Sequence, residues 1–596
     1  VSTTETATKT GGRLGGWIVH APRRLRALVR ADEVGLALLA AAVGMLAGAG
    51  VAAINLITAG MHQWLFGLAP GQGLSDSLRI APPRAFGVPV LGGAALGISA
   101  WVLAKFRPRP LIDPVEANAL YGGRVSLLDS LIVAAQTAWS NGVGASVGME
   151  AGYAQLGAGF ASYLGRSFRL RRNDLRVLVG CGAAAAIGGA FSAPLCGAFY
   201  GIELIIGVYS IATLPFVMVA SLAGTLTVQL IAGGTAPLDV LLPNSVPAGI
   251  YPVVLVLGVA CGLAAIATMR GVTMIEAGFR RSKIPLWARP MLGGAVVGIL
   301  GCITPKAMSS GHSALHADIN ISYPFLAALG LFLVKAAASA FSIGSGFRGG
   351  LFFASLFLGA LFGKVFAGIL VLLPFITAMP NGFYAVVAMS ALAVGIVGGP
   401  MTMTFLALES TENFSVTMAV LAASIAAAIT VRRLFGYSFT TWRFHLRGDS
   451  IRSAVDVGWI QDLTVAKMMR RAENVAQADM TLAAFRLAFP LGATQRVIVV
   501  DSDSRYAGLV YPAEAFGVDD TDVAVRNIVH HSEDFLNAAM TVKEAIAVFE
   551  AAEADALAVL DGPDSRLVLG LLTEPFALKR YAEELERRRQ EILGEG

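Results

Sequence analysis

The chain has 596 residues, 55% of them hydrophobic and 14% charged, with 67 glycines and a mean hydropathy of +0.67. That is too apolar for a soluble globule and normal for a protein that crosses the bilayer many times. A formal net charge of +5, with no basic patch interleaved with aromatics, gives nucleic acid no footprint.

Residues 1–32 form a basic N-terminal segment. The stretch from Gly15 to Arg30 is too short and too basic to span and lacks a small-residue cleavage site, so it reads as a cytoplasmic interfacial helix and not a signal peptide. Apolar runs follow near 34–66, 86–105, 127–139, 147–165, 174–193, 195–208, 212–232, 251–269, 291–304, 323–342, 350–375, 383–399, 401–409 and 415–431. A full crossing takes about 20 apolar residues. The shorter runs, broken by glycine and proline, therefore predict re-entrant helices, which survive at membrane depth only where they line a cavity or pack in protein.

Basic residues predict the orientation. Arg23, Arg24, Arg26 and Arg30 precede the first span, Arg166 to Arg176 form a second cluster, Arg280 to Arg289 a third, and Arg432 and Arg433 a fourth. All four should be cytoplasmic. Cys181, Cys196, Cys261 and Cys302 fall in apolar segments without metal-ligand spacing and read as small core residues, so no metal site is expected.

Glu150 stands in Val143-Gly-Ala-Ser-Val-Gly-Met-Glu-Ala-Gly152, flanked on both sides by uncharged, mostly small residues. A carboxylate at that depth faces the protein interior or a water-filled route for a functional reason. The alternative is a glutamate in a surface loop. Farther on, Gly344-Ser-Gly-Phe-Arg-Gly-Gly-Leu-Phe-Phe-Ala354 predicts a glycine-rich approach to a helix that starts near Leu351. Its free first amides form an anion site; the alternative is that the glycines merely allow close helix packing.

The membrane part repeats itself. Ala138-Trp-Ser-Asn-Gly-Val-Gly144 returns as Ala340-Phe-Ser-Ile-Gly-Ser-Gly346, and Pro194-Leu-Cys-Gly-Ala-Phe-Tyr-Gly-Ile-Glu203 as Pro400-Met-Thr-Met-Thr-Phe-Leu-Ala-Leu-Glu409. Two copies of one unit, about 33–235 and 250–445, would meet at a pseudo-two-fold axis with substrate between broken helices.

These residues resemble the CLC family of chloride channels and chloride/proton exchangers. Gly148-Met-Glu-Ala-Gly152 is similar to the gating motif Gly-Arg-Glu-Gly-Pro, and Gly350-Leu-Phe-Phe-Ala354 to the filter motif Gly-Ile-Phe-x-Pro. Lys335, Glu203 and Glu409 also sit where many members have these residue types. The resemblance covers about 33–445. It implies a multi-pass protein of a bacterial inner membrane with both termini cytoplasmic. The implied assembly is a homodimer in lipid with one pathway per subunit for chloride or another small anion, together with protons. Glu150 would be its gate. Gly148, Met149, Gly350, Leu351 and Phe352, with Leu111, Ile112 and the Thr440 hydroxyl, would be the anion-binding residues, and Glu150 and Glu203 would be proton-pathway candidates.

The departures leave selectivity and coupling open. The first filter motif of the family aligns with Pro110-Leu111-Ile112-Asp113-Pro114, where no serine hydroxyl is available. Asp113 is placed to cap a helix from Pro114, with Glu116 as the far half of a capping box. Thr440 aligns with the central tyrosine, and Leu204 with the second glutamate of many exchangers. Channel and antiporter both remain open, as does altered selectivity for fluoride or nitrate.

From about 448 the composition turns soluble. After the polar linker from Gly448, two units near 460–518 and 522–585 each read helix, strand, strand, helix. They resemble tandem CBS domains, which can bind adenine nucleotide. By that resemblance Tyr511 and Thr573 are weak candidate contacts, since the usual aspartate after Thr573 is replaced by Phe576; a purely structural pair is the alternative. No other cofactor is expected. A CBS-regulated divalent-cation transporter should gather acidic pore residues instead of glycine-rich helix starts. An intramembrane metalloprotease would need a glutamate where His312-Ser313-Ala-Leu-His316 has serine, so no enzyme activity is expected.

Overall fold

A computed structural model describes residues 21–22, 25–26, 29, 33–106, 111–234, 238–372, 379–446, 463–562 and 565–593. Most of the N-terminal basic segment, Pro110 and the linker from Gly448 lie outside the described residues. The chain divides into two compact units, Val1–Val455 and Asp456–Gly596.

The first unit is all helical. Its helices are α1 (Glu33–Phe66), α2 (Pro82–Phe106), α3 (Pro114–Leu120), α4 (Leu127–Gly142), α5 (Glu150–Ser167), α6 (Arg172–Phe191), α7 (Pro194–Tyr200) and α8 (Leu214–Ala232). The second half follows with α9 (Tyr251–Arg281), α10 (Arg289–Ile303), α11 (His312–Asp318), α12 (Phe325–Ser345), α13 (Phe352–Leu370), α14 (Asn381–Val397), α15 (Pro400–Thr411), α16 (Phe414–Leu434) and α17 (Phe439–Leu446). Among the described residues, eight helices are long and apolar enough to cross a membrane. The 7 residues of α7 and 12 of α15 are not. Both start on a proline, which suits the first helical turn because its missing N–H has no intrahelical partner there.

Small residues let the long helices approach. A Cβ on Gly44 of α1 would run into the Ala220 backbone of α8, and one on Gly48 into that of Gly224. Interhelical attraction in lipid comes from such close backbone packing, since lipid tails offer no hydrophobic gain. Cys181, Cys196 and Cys261 are buried as expected, whereas Cys302 is exposed, its thiol 3.8 Å from the Pro82 carbonyl.

The repeat is visible in paired hydrogen bonds. Ser342 Oγ accepts from Ser146 N at 2.9 Å, and Ser140 Oγ accepts from Arg348 N at 3.1 Å. Each partner of one bond has its counterpart in the other at a single sequence offset. Gly148 and Gly350, at that same offset, bond to each other in both directions at 2.8 and 3.0 Å, so the pseudo-two-fold axis runs between them.

The helices of this unit depart from the hydropathy reading in two ways, by extension and by helices that no apolar run marks. Helix α9 continues to Arg281, twelve residues past its apolar run, because Thr273, Glu276 and Arg280 extend the helix with a polar surface. Helix α11 had no apolar run to announce it.

The second unit is α/β. It comprises α18 (Val465–Met468), β1 (Arg470–Arg471), β2 (Val475–Gln477), α19 (Leu482–Ala488), β3 (Val497–Val500), β4 (Tyr506–Val510), α20 (Pro512–Ala515), β5 (Leu536–Asn537), α21 (Val542–Ala552), β6 (Ala556–Leu560), β7 (Val568–Thr573) and α22 (Glu574–Leu593). One sheet has the order β1-β7-β6-β5, the other β2-β3-β4. Each half therefore carries an extra short strand before its helix, β2 parallel to β3 and β5 parallel to β6, which corrects the helix, strand, strand, helix reading. Strands of two or three residues are too short to show alternation. The halves also interlock: α18 packs in the core of the second half, with Val465 and Met468 among Leu536, Val542 and Phe549. Thr541 caps α21 in a capping box with Glu544.

Candidate functional site

Helices α5 and α13 each start two residues after the Gly148–Gly350 bridge. Their N-termini, which carry the positive dipole ends, are thereby held next to each other inside the first unit. Glu150 is the first residue of α5. Its side chain is 4% exposed, so it is not in a surface loop.

The carboxylate turns across to the other helix. Glu150 Oε1 accepts the backbone N–H of Phe353 at 3.2 Å, on the first turn of α13. Oε2 is buried and has no hydrogen-bond partner among the described residues. The carboxylate therefore occupies the place where α13 offers its free amides to an anion. Gly148 makes room for this pose, because a Cβ there would strike the Glu150 carboxylate. Gly350 is more open, its nearest neighbour to such a Cβ being Ala151 Cβ at 3.7 Å.

Aromatic rings close one side. Phe191 lies 5.0 Å from Phe352 and stacks on Phe353 at 5.4 Å, ring centre to ring centre. Tyr200 of α7 lies 6.0 Å from Phe352, ring centre to ring centre. Sequence reasoning did not single out Tyr200. Its only signal was a phenol in the short proline-started run that ends at Glu203.

The other expected site residues are placed as follows. Met149 and Leu351 are the N-cap residues of α5 and α13, so both flank the junction. Asp113 caps α3 through Val115 N at 2.9 Å, the second amide of the helix and not the third that a capping box uses. Leu111 and Ile112 precede it, and the Ile112 carbonyl accepts from Gln155 of α5 at 3.1 Å. Thr440 is half-buried in the first turn of α17, which is locked by its neighbours: Ser438 N donates to Thr441 Oγ1 at 2.9 Å. The described contacts do not bring Thr440 to Glu150.

Glu203 is heavily engaged. Oε1 accepts from Met401 N at 3.1 Å and Tyr209 Oη at 2.7 Å, and Oε2 from Thr402 N at 2.9 Å and Thr402 Oγ1 at 2.6 Å. Lys335 is fully buried but far from the carboxylate in function: its ammonium donates to the carbonyls of Ser309 at 2.8 Å and of Ala307 and Met308 at 3.4 Å. Leu204 leaves no second carboxylate beside Glu203.

In the second unit Tyr511 Oη donates to Asp555 at 3.4 Å, and Asp555 is ion-paired with Arg496. The Arg496 guanidinium holds the Asp555 carboxyl below the usual carboxylate range, while burial pushes the Tyr511 phenol up. Glu514 meets His530 at 2.6 Å. Thr573 ends β7, in register with Ala556.

The family model described as voltage gated chloride channel matches residues 92–432. A ClcB-like protein of Ralstonia nicotianae is 31% identical over 377 residues, which cover 62% of this chain and 87% of that one. A solved slow cyanobacterial chloride/proton antiporter superposes with a TM-score of 0.60 at 22% identity, over 69% of this chain and 97% of its own. A eukaryotic CLC transporter superposes with a TM-score of 0.57 at 17% identity, over 92% of this chain and 98% of its own.

Proposed function

Because this chain belongs to the voltage-gated chloride channel family, CLC, we propose that it moves chloride across the membrane through the junction of α5 and α13, with Glu150 as the gate. The observation that carries the reading is the bond from Phe353 N to Glu150 Oε1. The ionised carboxylate competes with a permeant anion for the first amides of α13. Protonation removes its charge and weakens it as an acceptor, so the side chain leaves and chloride takes the amides. Gly350, Leu351 and Phe352 of that helix start, with Gly148 and Met149 opposite, would then line the anion's path.

The test is anion flux from vesicles holding the purified protein. Flux through the parent should rise as pH falls, and Glu150→Gln should conduct without that dependence. A Glu150→Gln protein with the parent's pH profile would remove the gate assignment. Reversal potentials in chloride, nitrate and fluoride, with proton uptake followed in parallel, would decide selectivity and coupling, which the missing pore serine and Leu204 leave to this chain's own residues.

In the membrane, the basic clusters at Arg166 to Arg176, Arg280 to Arg289 and Arg432 to Arg433 support cytoplasmic termini. The family resemblance supports a homodimer. For the second unit we infer a CBS pair that regulates transport; its fold is supported by the superposition of a eukaryotic CLC transporter over 92% of this chain. Adenine nucleotide is the candidate ligand, with Tyr511 and Thr573 as the contacts to test, and a purely structural pair is the alternative of equal standing. Calorimetry on the whole protein with ATP and AMP tests it: no heat at millimolar nucleotide leaves a purely structural pair.

A further inference from the structure

Asn141 is the last residue but one of α4 and is 1% exposed. Its side-chain amide reaches forward along the chain: Nδ2 donates to the Val147 carbonyl at 2.8 Å, and Oδ1 accepts from Ser309 Oγ at 3.1 Å. The Asn141 carbonyl accepts from His62 Nε2 of α1 at 3.0 Å and from Gly144 N at 2.9 Å. Ser309 comes from the loop between α10 and α11 and holds a left-handed backbone angle, φ 53°, while its N–H donates to the Gly144 carbonyl at 3.1 Å. A non-glycine residue keeps that conformation where its surroundings over-determine it. Segments far apart in sequence thus fix the orientation of one buried amide, inside the loop that leads to Glu150.

We propose that Asn141 is a positioning residue of the gate: it holds the Val147–Gly148 peptide so that the Gly148 N–H, and not the Val147 carbonyl, faces the start of α13. The inference rests on the assignment of Glu150 as the gate. A trans peptide is planar, so its C=O and N–H point opposite ways and pinning one aims the other. Asn141 pins the Val147 C=O, and the Gly148 N–H of the same unit donates to the Gly350 carbonyl at 2.8 Å. Glycine lacks the Cβ that would resist rotation of this unit, so the Asn141 side chain supplies the restraint. A rotated peptide would set the Val147 carbonyl against that of Gly350, break the bridge and let the starts of α5 and α13 part. The bond from Phe353 N to Glu150 Oε1, 3.2 Å long, spans those two starts and depends on their staying together.

The repeat isolates the device. At the offset that relates Gly148 to Gly350, Asn141 corresponds to Ile343, whose side chain has no donor. The two halves otherwise share this loop, with Ser140 and Ser342 in matching bonds to Arg348 N and Ser146 N. A residue needed for packing alone would recur in both copies. The amide stands in the half that carries the carboxylate.

The experiment is anion flux from vesicles holding the full-length protein, measured at acid and at neutral pH. In Asn141→Leu, which keeps the volume and removes the donor, the ratio of acid to neutral flux should fall about fivefold, the factor that corresponds to one lost hydrogen bond. Asn141→Ala, which introduces no clash, is the second variant and should lower the ratio in the same sense. Combined with Glu150→Gln, Asn141→Leu should change the ratio no further, since the carboxylate it positions is gone. Flux reduced equally at both pH values, with the parent's ratio in both variants, is the mark of a merely structural residue and overturns the proposal. An effect on the ratio that persists beside Glu150→Gln also overturns it, because Asn141 would then act elsewhere. A Glu150→Gln protein that keeps the parent's pH profile removes the gate and this proposal together, whereas an unchanged ratio beside a pH-insensitive Glu150→Gln removes the role of Asn141 alone.

Discussion

Glu203 and Glu409 cap each other's helices. Glu203, in the turn that follows α7, accepts from Met401 N and Thr402 N at the start of α15. Glu409, near the end of α15, accepts from Leu195 N and Cys196 N at the start of α7, both at 2.8 Å. Between them Phe199 and Phe405 stack at 4.4 Å. All three pairs relate residues at one sequence offset, so this is a second crossing of the pseudo-two-fold axis.

These caps should matter for stability. A carboxylate on the positive end of a helix makes charge-assisted bonds, so Glu409→Gln should destabilise the membrane unit by about 1–2 kcal/mol. Glu203→Gln should cost a similar amount, and the double variant should cost less than the sum if the two caps hold one shared packing unit. Thermal unfolding in detergent reads all three, and an unchanged midpoint for both single variants would show that the caps are dispensable.

The two bridging glycines should respond differently to the same change. Gly148→Ala puts a methyl group against the Glu150 carboxylate and should push it off the Phe353 amide, raising anion flux at neutral pH. Gly350→Ala meets only an ordinary van der Waals neighbour and should leave flux near the parent's. Equal effects from the two variants would contradict the placement of the carboxylate.

Lys335 should be structural. Replacing it with methionine conserves length but leaves the carbonyls of Ala307, Met308 and Ser309 without their buried donor. Unsatisfied buried acceptors of this kind predict a loss of about 3 kcal/mol. Denaturation of Lys335→Met should show that loss, while any protein that remains folded should keep the parent's pH profile of flux.

The Arg496–Asp555 pair predicts a pH dependence for the second unit. The folded pKa of Asp555 lies below its ordinary value near 3.8. Its stabilisation is therefore fully present above that ordinary value and is lost as pH falls through the depressed one. The protection of β3 and β6 amides, taken relative to the intrinsic exchange rate at each pH, should fall below about pH 4 in the parent. In Asp555→Asn the protection should already be lower at neutral pH and change less on acidification. The carboxylate is half-exposed, so the effect is modest.

Much of the membrane unit was legible in sequence because its signals are local. Apolar length, glycine and proline breaks and two repeated segments are all read along the chain, and Glu150 stood out because nothing charged surrounds it. The short strands β2 and β5 and helix α11 were not legible, since two to seven residues carry too little periodicity and their existence depends on partners supplied by other segments.

The sequence by itself determined the class of the protein, its doubled architecture and the single carboxylate at its centre. Only the tertiary structure decided what each group touches: that Glu150 rests on the Phe353 amide, that Glu203 caps α15 and that Glu409 caps α7. The physical reason is separation. Burial and helix formation are set by neighbours a few residues away, whereas these contacts join residues some two hundred apart, and they exist only once the two halves have packed against each other.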